Sequence, residues 1–274
     1  QGIAALIALG ILEKFDLASL PVDSTASQHL QIEAMKLAFA DVYRYVSERS
    51  TMEVTTEQML DDAYLTSRAR LIDMRRAQDF QAGNPVKGGT IYLTAADESG
   101  MMVSFIQSNY MGFGSGCVEP HYGISLQNRG YGFSLNVASP NVVAPGKRPF
   151  HTIIPAFLTK DGQPVMSYGV MGGNMQPQGH MQTLVRMLDY RQGLQAACDA
   201  PRWRFNKGLN INVEAAMNAA TVQGLKDLGH EIDVINDSYQ DFGAGQFIWR
   251  AGNPAVEGYV AASDPRRDGL AAGY

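Results

Sequence analysis

A hydroxyl residue, Thr90, opens the strand-like run Thr90-Ile91-Tyr92-Leu93-Thr94-Ala95-Ala96, directly after Gly88-Gly89 and a polar, Gly/Pro-containing segment at residues 81–87. If the chain cuts itself at Gly89-Thr90, the freed threonine carries a hydroxyl nucleophile and an amine base on one residue. That pair cleaves amides without a Ser-His-Asp triad. The two glycines suit the strained peptide that an N→O acyl shift needs, because a residue without Cβ reaches backbone conformations closed to the others. On local sequence alone, Thr90 also reads as the first residue of a strand, where β-branched residues are common.

Four further groups carry polar chemistry. Gly172-Gly173 follow the apolar run Tyr168-Gly169-Val170-Met171 and precede a helical pattern. Backbone N–H groups in such a turn can hold an oxyanion, or the turn can be a plain strand-to-helix connection. Ser108 and Tyr110 lie where a strand meets the glycine-rich loop Gly112-Phe113-Gly114-Ser115-Gly116. This loop lacks the Lys-Ser/Thr ending of a phosphate loop. Arg129, in Gln127-Asn128-Arg129-Gly130, offers a planar fork for a substrate carboxylate, or an ordinary ion pair. His151-Thr152 stand at the mouth of an apolar run, His151 as a general base or a pocket hydrogen-bonding residue. The remaining histidines show no metal-ligand spacing, and His29 and His230 read as surface positions. A serine triad built on His151 is a weaker reading, since no Gly-x-Ser-x-Gly elbow occurs.

The elements that must position these residues change character along the chain. Residues 2–17 read as a buried helix, and residues 24–48 as an amphipathic helix capped by Asp23 or Ser24. Residues 56–75 give a further helical stretch with Thr56 as cap. The pair Asp73/Arg76 reads as a solvated face. From Thr90 the pattern is β-like: residues 90–96 and 101–108 around the turn Asp97-Glu98-Ser99-Gly100, then 123–127, 153–159 and 165–171, with a second turn at Lys160-Asp161-Gly162-Gln163. Helices are expected again at 178–190, 195–200 and 221–228, and short strands from Gln246. Helices, hairpins, then helices predict sheets covered by helix layers.

The 274 residues, 45% hydrophobic and 18% charged, have the composition of a globular protein. A net charge of −5 and no basic run give no footprint for nucleic acid. The apolar opening of the chain ends at Glu13, short of a membrane span, and has no basic leader, so it reads as a core helix of a longer protein. Cys117 and Cys198 define neither a metal site nor a required disulfide, and the compartment, cytoplasmic or periplasmic/secreted, stays open.

Taken in order, the chain resembles the gamma-glutamyltranspeptidase family of N-terminal nucleophile hydrolases. The resemblance covers the whole length and is carried by Ile11-Leu12-Glu13-Lys14-Phe15-Asp16, Thr90 with Asp97 and Gly100, Phe113-Gly114-Ser115-Gly116, Gly146-Lys147-Arg148-Pro149, Gly172-Gly173 and Asp199-Ala200-Pro201-Arg202. It implies an α+β fold, the four-layer αββα sandwich, and a zymogen that cuts itself before Thr90. Residues 1–89 would then end the large subunit and residues 90–274 form the small one. The partners implied are a small-molecule amide or gamma-glutamyl-like substrate and a large/small subunit heterodimer, or a dimer of these, with no nucleic acid, no membrane span in this segment, and no metal or organic cofactor.

By the same resemblance Thr90 is the nucleophile, Gly172 and Gly173 form the oxyanion hole, and Ser108 stands where the family has a second threonine. The recognition positions depart from the family. Tyr110 replaces an asparagine, Arg129 a glutamine, and Gly132 the aspartate that holds a substrate amino group. His151-Thr152 replace a serine pair, and residues 133–142 are too short for the family's lid loop. The expectation is an autoprocessed threonine amide hydrolase or acyltransferase with altered acyl-donor recognition, taking gamma-glutamyl-like or β-lactam side-chain amides. The alternative is an inactive or unprocessed relative with a binding or structural role.

Overall fold

The computed structural model describes residues 1–80 and 89–274; the polar segment at 81–87 and Gly88 lie outside the described residues. Helices α1 (Ile3–Leu12), α2 (Thr25–Tyr45), α3 (Thr56–Met59) and α4 (Asp62–Ala69) come first, then strands β1 (Gly89–Ala96), β2 (Met102–Tyr110), β3 (Val118–Glu119), β4 (Ile124–Ser125), β5 (Ala156–Lys160) and β6 (Gln163–Met171). Helices α5 (Met175–Leu188) and α6 (Leu194–Asp199) lead to β7 (Trp203–Lys207), β8 (Asn210–Glu214), α7 (Ala219–Asp227), β9 (Glu231–Ile235), α8 (Ser238–Asp241), β10 (Ala244–Arg250) and β11 (Tyr259–Ser263).

The central sheet has the order β11-β10-β6-β5, all pairs antiparallel. Period-two alternation gives β6 two apolar or small faces. Met166, Tyr168 and Val170 pack with Leu184 of α5. Ser167 and Gly169 face the β1–β2 hairpin: the Thr94 and Ser167 hydroxyls are hydrogen-bonded, and the Tyr92 ring lies on Gly169. A Cβ at Gly169 would come within 2.5 Å of that ring, so the crossing of β1 over β6 depends on the missing side chain. The layers are therefore helix, sheet, sheet, an α+β arrangement; among the described residues no second helix layer covers the hairpin to complete the four-layer αββα sandwich that the resemblance implied. The outer face of the hairpin, with Ile91, Leu93, Val103 and Phe105, is exposed.

The larger core lies around α1 and α2. Ser24 caps α2 by accepting from the Ser27 N–H. The amphipathic expectation for this helix fails, because α2 is buried on nearly every side, including Gln28, His29, Gln31, Glu33 and Lys36. Burial of such groups requires partners. His29 Nδ1 and His230 Nε2 are 2.8 Å apart, His29 Nε2 meets the Asp73 carbonyl at 3.0 Å, and Lys36 Nζ pairs with Glu33 at 2.7 Å. His29 and His230 are thus interior residues, contrary to the surface assignment.

The helix expected over residues 56–75 is two short helices, capped by Thr55 and Asp61 rather than Thr56. Asp73 and the exposed Arg76 do form the expected surface pair. The strand expected at 123–127 shrinks to β4, and the three-stranded sheet β7-β8-β9 was not anticipated.

Burial makes the interior histidines sensitive to acid. His180, whose Nε2 accepts from the Val170 N–H at 2.9 Å, has its pKa pushed down to about 3 by desolvation, and His230 is pushed down to about 2 for the same reason. In the unfolded chain each titrates near 6.5, so the unfolded state binds the proton first. Neither residue affects stability well above that value. Below it each removes about 1.4 kcal/mol per pH unit until its folded pKa is reached. The urea midpoint is expected to fall between pH 7.5 and pH 5, and His180→Gln to flatten part of that slope. A midpoint unchanged at pH 5 would contradict this.

Candidate active site

Thr90 is buried at the start of β1, and its hydroxyl donates to Ser108 Oγ on β2 at 3.2 Å. The strand register explains the meeting. Gly89 pairs with Tyr110 and Ile91 with Gln107, so β2 carries one extra residue opposite Thr90. Such a bulge turns a side chain off the regular alternation. Ser108 Oγ also accepts the Tyr110 N–H at 2.9 Å. Tyr110 itself has φ +80°, a left-handed conformation that is costly for a residue with a Cβ and is characteristic of functional sites.

Arg129 lies on the other side of Ser108. Its Nη2 donates to the Ser108 carbonyl at 3.3 Å and its Nη1 to Thr152 Oγ1 at 3.1 Å, while the Tyr110 ring centroid lies 5.4 Å from its Cζ. Arg129 is 6% exposed. Burial pulls its pKa below the usual guanidinium value, and the one opposing charge effect comes from the Tyr110 hydroxyl rather than from a carboxylate. His151, next to Thr152, is exposed. Partial desolvation and the Arg129 charge push its pKa down to about 4, so it is neutral near pH 7. Gly132 carries no side chain, and a Cβ there would lie 3.2 Å from the Phe150 carbonyl oxygen, a tight contact that the neighbouring backbone would have to ease.

The Gly172-Gly173 turn joins β6 to α5. Both glycines have positive φ, +133° and +60°. Their carbonyls accept from Met175 N–H and Gln176 N–H to start the helix, while neither glycine N–H meets an acceptor among the described residues. On β1 and β6, Tyr92 faces Gly169 and Thr94 faces Ser167. Continuing that antiparallel crossing by two residues brings Thr90 level with Met171, beside the turn. Gln176 Oε1 accepts the Ile154 N–H at 2.9 Å, tying the His151-Thr152 segment to the same helix start. Thr90, Ser108, Tyr110, Arg129 and Thr152 thus form one bonded chain, with His151 and the glycine turn at its borders.

Sequence reasoning missed Gly243. It has φ +67°, and a Cβ there would lie 2.2 Å from the Met171 carbonyl oxygen, while a Cβ on Gly172 would lie 3.0 Å from Gly243 Cα. The run Phe242-Gly243-Ala244-Gly245 before an apolar strand was the available signal. Among the described residues, a single cluster, His29, Glu33 and His230, has the makings of a metal site, but Lys36 already pairs with Glu33 there and lies 3.4 Å from His230 Nδ1.

The gamma-glutamyltranspeptidase family model matches residues 1–274. The chain belongs to the gamma-glutamyltranspeptidase family. It is 36% identical to the oxamate amidohydrolase proenzyme of Klebsiella pneumoniae and 35% identical to the glutathione hydrolase-like YwrD proenzyme of Bacillus subtilis, in each case over all of this chain and 52% of the relative. The chain spans about half the length of the curated relatives it matches. The crystal structure of cephalosporin acylase from Bacillus halodurans superposes with a TM-score of 0.91 at 47% identity, covering all of this chain and 49% of that one. These are N-terminal nucleophile hydrolases, and the fold is theirs.

Gly243→Ala combines a positive φ with a backbone clash against Met171. It is expected to cost about 1–3 kcal/mol. Gly193 has φ −62° and open space around it, so Gly193→Ala should change stability by less than about 0.5 kcal/mol. Chemical denaturation of both variants checks the contrast; equal effects would remove Gly243 as the support of the turn.

Proposed function

We propose that this protein is an autoprocessed threonine amidohydrolase. The observation that carries the reading is the buried Thr90 hydroxyl, bonded to Ser108 at the first strand of the hairpin, in a chain whose relatives include proenzymes. In the first reaction Thr90 Oγ bonds to the Gly89 carbonyl carbon and the Gly89–Thr90 C–N bond breaks. Water then hydrolyses the ester, leaving a Gly89 carboxylate and a free Thr90 amine. Residues 1–89 become the end of the large subunit, and residues 90–274 the small subunit of 185 residues (274 − 89).

In turnover, the Thr90 amine takes the hydroxyl proton as Oγ adds to the substrate carbonyl. The Gly172 and Gly173 N–H groups hold the oxyanion. The proton passes to the leaving nitrogen, the C–N bond breaks, and water attacks the acyl-threonine ester, releasing the acid and restoring the hydroxyl. Ser108 orients Oγ and is itself held by the Tyr110 N–H. An amine in place of water gives acyl transfer. No step calls on a metal or organic cofactor.

The acyl group differs from a gamma-glutamyl group in what holds it. Gly132 supplies no anion for a substrate ammonium, and Arg129 with Thr152 stand where the family has neutral groups. The names of the relatives, an oxamate amidohydrolase and a cephalosporin acylase, accord with amide hydrolysis beyond glutathione.

Thr90→Ala in the full-length protein should lower amide hydrolysis by about 10³-fold or more, while Thr90→Ser keeps measurable activity. Activity surviving in Thr90→Ala would point instead to a serine-based mechanism.

A further inference from the structure

We infer that Lys36, Glu33, His29 and His230 are positioning residues for self-cleavage: their buried network fixes the main chain of residues 73–78 and so holds the upstream arm of the Gly89–Thr90 peptide; this rests on the Thr90 reading above. All of these side chains are buried. Burial lowers the pKa of both imidazoles, so both are neutral near pH 7. The Asp73 carbonyl can only accept, so His29 Nε2 donates to it at 3.0 Å. His29 Nδ1 is then an acceptor, and His230 Nε2 donates to it at 2.8 Å. That leaves His230 Nδ1 as an acceptor facing Lys36 Nζ at 3.4 Å. The Lys36 ammonium also donates to Glu33 Oε1 at 2.7 Å and to the Gln78 carbonyl at 3.0 Å, so each of its N–H groups has an acceptor. Glu33 Oε2 accepts the Gln78 N–H at 3.2 Å.

The network therefore grips main chain at both of its ends, Asp73 on one side and Gln78 on the other. Between them the Ala77 N–H donates to the Leu228 carbonyl at 2.6 Å. His230 and Leu228 come after Thr90 in the chain and the other members before it, so the anchor fastens the end of one piece to the body of the other. A buried ion pair is weak support for stability, since well-packed apolar residues serve as well. What apolar residues could not supply here is the hold on the Asp73 and Gln78 carbonyls and on the Gln78 N–H. Attack of Thr90 Oγ on the Gly89 carbonyl carbon needs both arms of that peptide in place. Strand β1 holds the Thr90 arm, with Gly89 paired to Tyr110. Gln78 is 11 residues upstream of Gly89 (89 − 78), whereas the end of α4 at Ala69 is 20 upstream (89 − 69). Freeing residues 73–78 nearly doubles the tethered length, which makes the encounter of the two arms about threefold rarer by chain entropy alone.

The test follows self-cleavage of the full-length protein by intact mass after cell-free synthesis. The double variant Glu33→Leu with Lys36→Met removes both charges together and keeps the space filled, so it should stay folded with a thermal midpoint within about 5 °C of wild type. Its Gln78 amide should exchange with deuterium about tenfold faster or more, and its Gly89–Thr90 peptide should be cut about threefold more slowly or worse. Ala77→Pro removes the N–H bound to Leu228 and alters no buried side chain. It should slow cleavage in the same direction, and it decides the question if the double variant does not fold.

A purely structural network would lower the midpoint and leave the rate at which the folded chain cuts itself unchanged. A freed Gln78 amide with cleavage at the wild-type rate, or wild-type cleavage in Ala77→Pro, would therefore overturn the proposal and leave the Thr90 chemistry standing. A wild-type protein never cut at Gly89–Thr90 would refute the Thr90 reading, and this role with it.

Discussion

The crossing of β1 over β6 is the contact on which the candidate site depends. Tyr92 needs the bare backbone of Gly169, and Thr94 needs the Ser167 hydroxyl, so β1 lies on the central sheet in one register only. A one-residue slip would turn Thr90 and Tyr92 outward and bring Ile91 and Leu93 in. The same crossing sets Thr90 beside the end of β6, where Gly172 and Gly243 pack backbone to backbone. The tight turn and the strand that opens with Thr90 are thus two ends of a single packing solution. The apolar outer face of the hairpin is the unpaid side of that solution, a patch of the kind that marks a covered surface in an assembled protein.

Around this frame the polar groups divide by charge. Ser108 links the two halves of the site: its hydroxyl meets Thr90, and its carbonyl meets Arg129. The half around Thr90, proposed as catalytic, is neutral, built from two hydroxyls and backbone N–H groups. The other half is cationic, with the buried Arg129 and a glycine at position 132.

Much of this was legible in the sequence because it is local. The two hairpin turns, the Ser24 cap, the helix after Gly172-Gly173 and the β-like change at Thr90 all rest on residues within a few positions of one another. The roles proposed for Thr90 and the glycine pair come from the resemblance, since spacing alone left them open. What was not legible is long-range. His29 and His230 are 201 residues apart, so no local pattern shows that each is the other's partner in the interior. The sheet β7-β8-β9 escaped notice because Asn206, Asn210 and Asn212 are poor strand formers. In the structure their amides bond across the strands, with Asn206 Nδ2 meeting both Asn210 and Asn212 at 2.7 Å. Gly243 was overlooked because its importance lies in what it touches on β6.

The central claim is that Thr90 becomes an N-terminal nucleophile, and intact mass with N-terminal sequencing of the purified full-length protein tests it most directly. The account predicts two polypeptides, one beginning Thr-Ile-Tyr-Leu-Thr, and a Thr90→Ala protein that stays whole. A wild-type chain that remains uncut over days, or one cut at any other peptide, would contradict it.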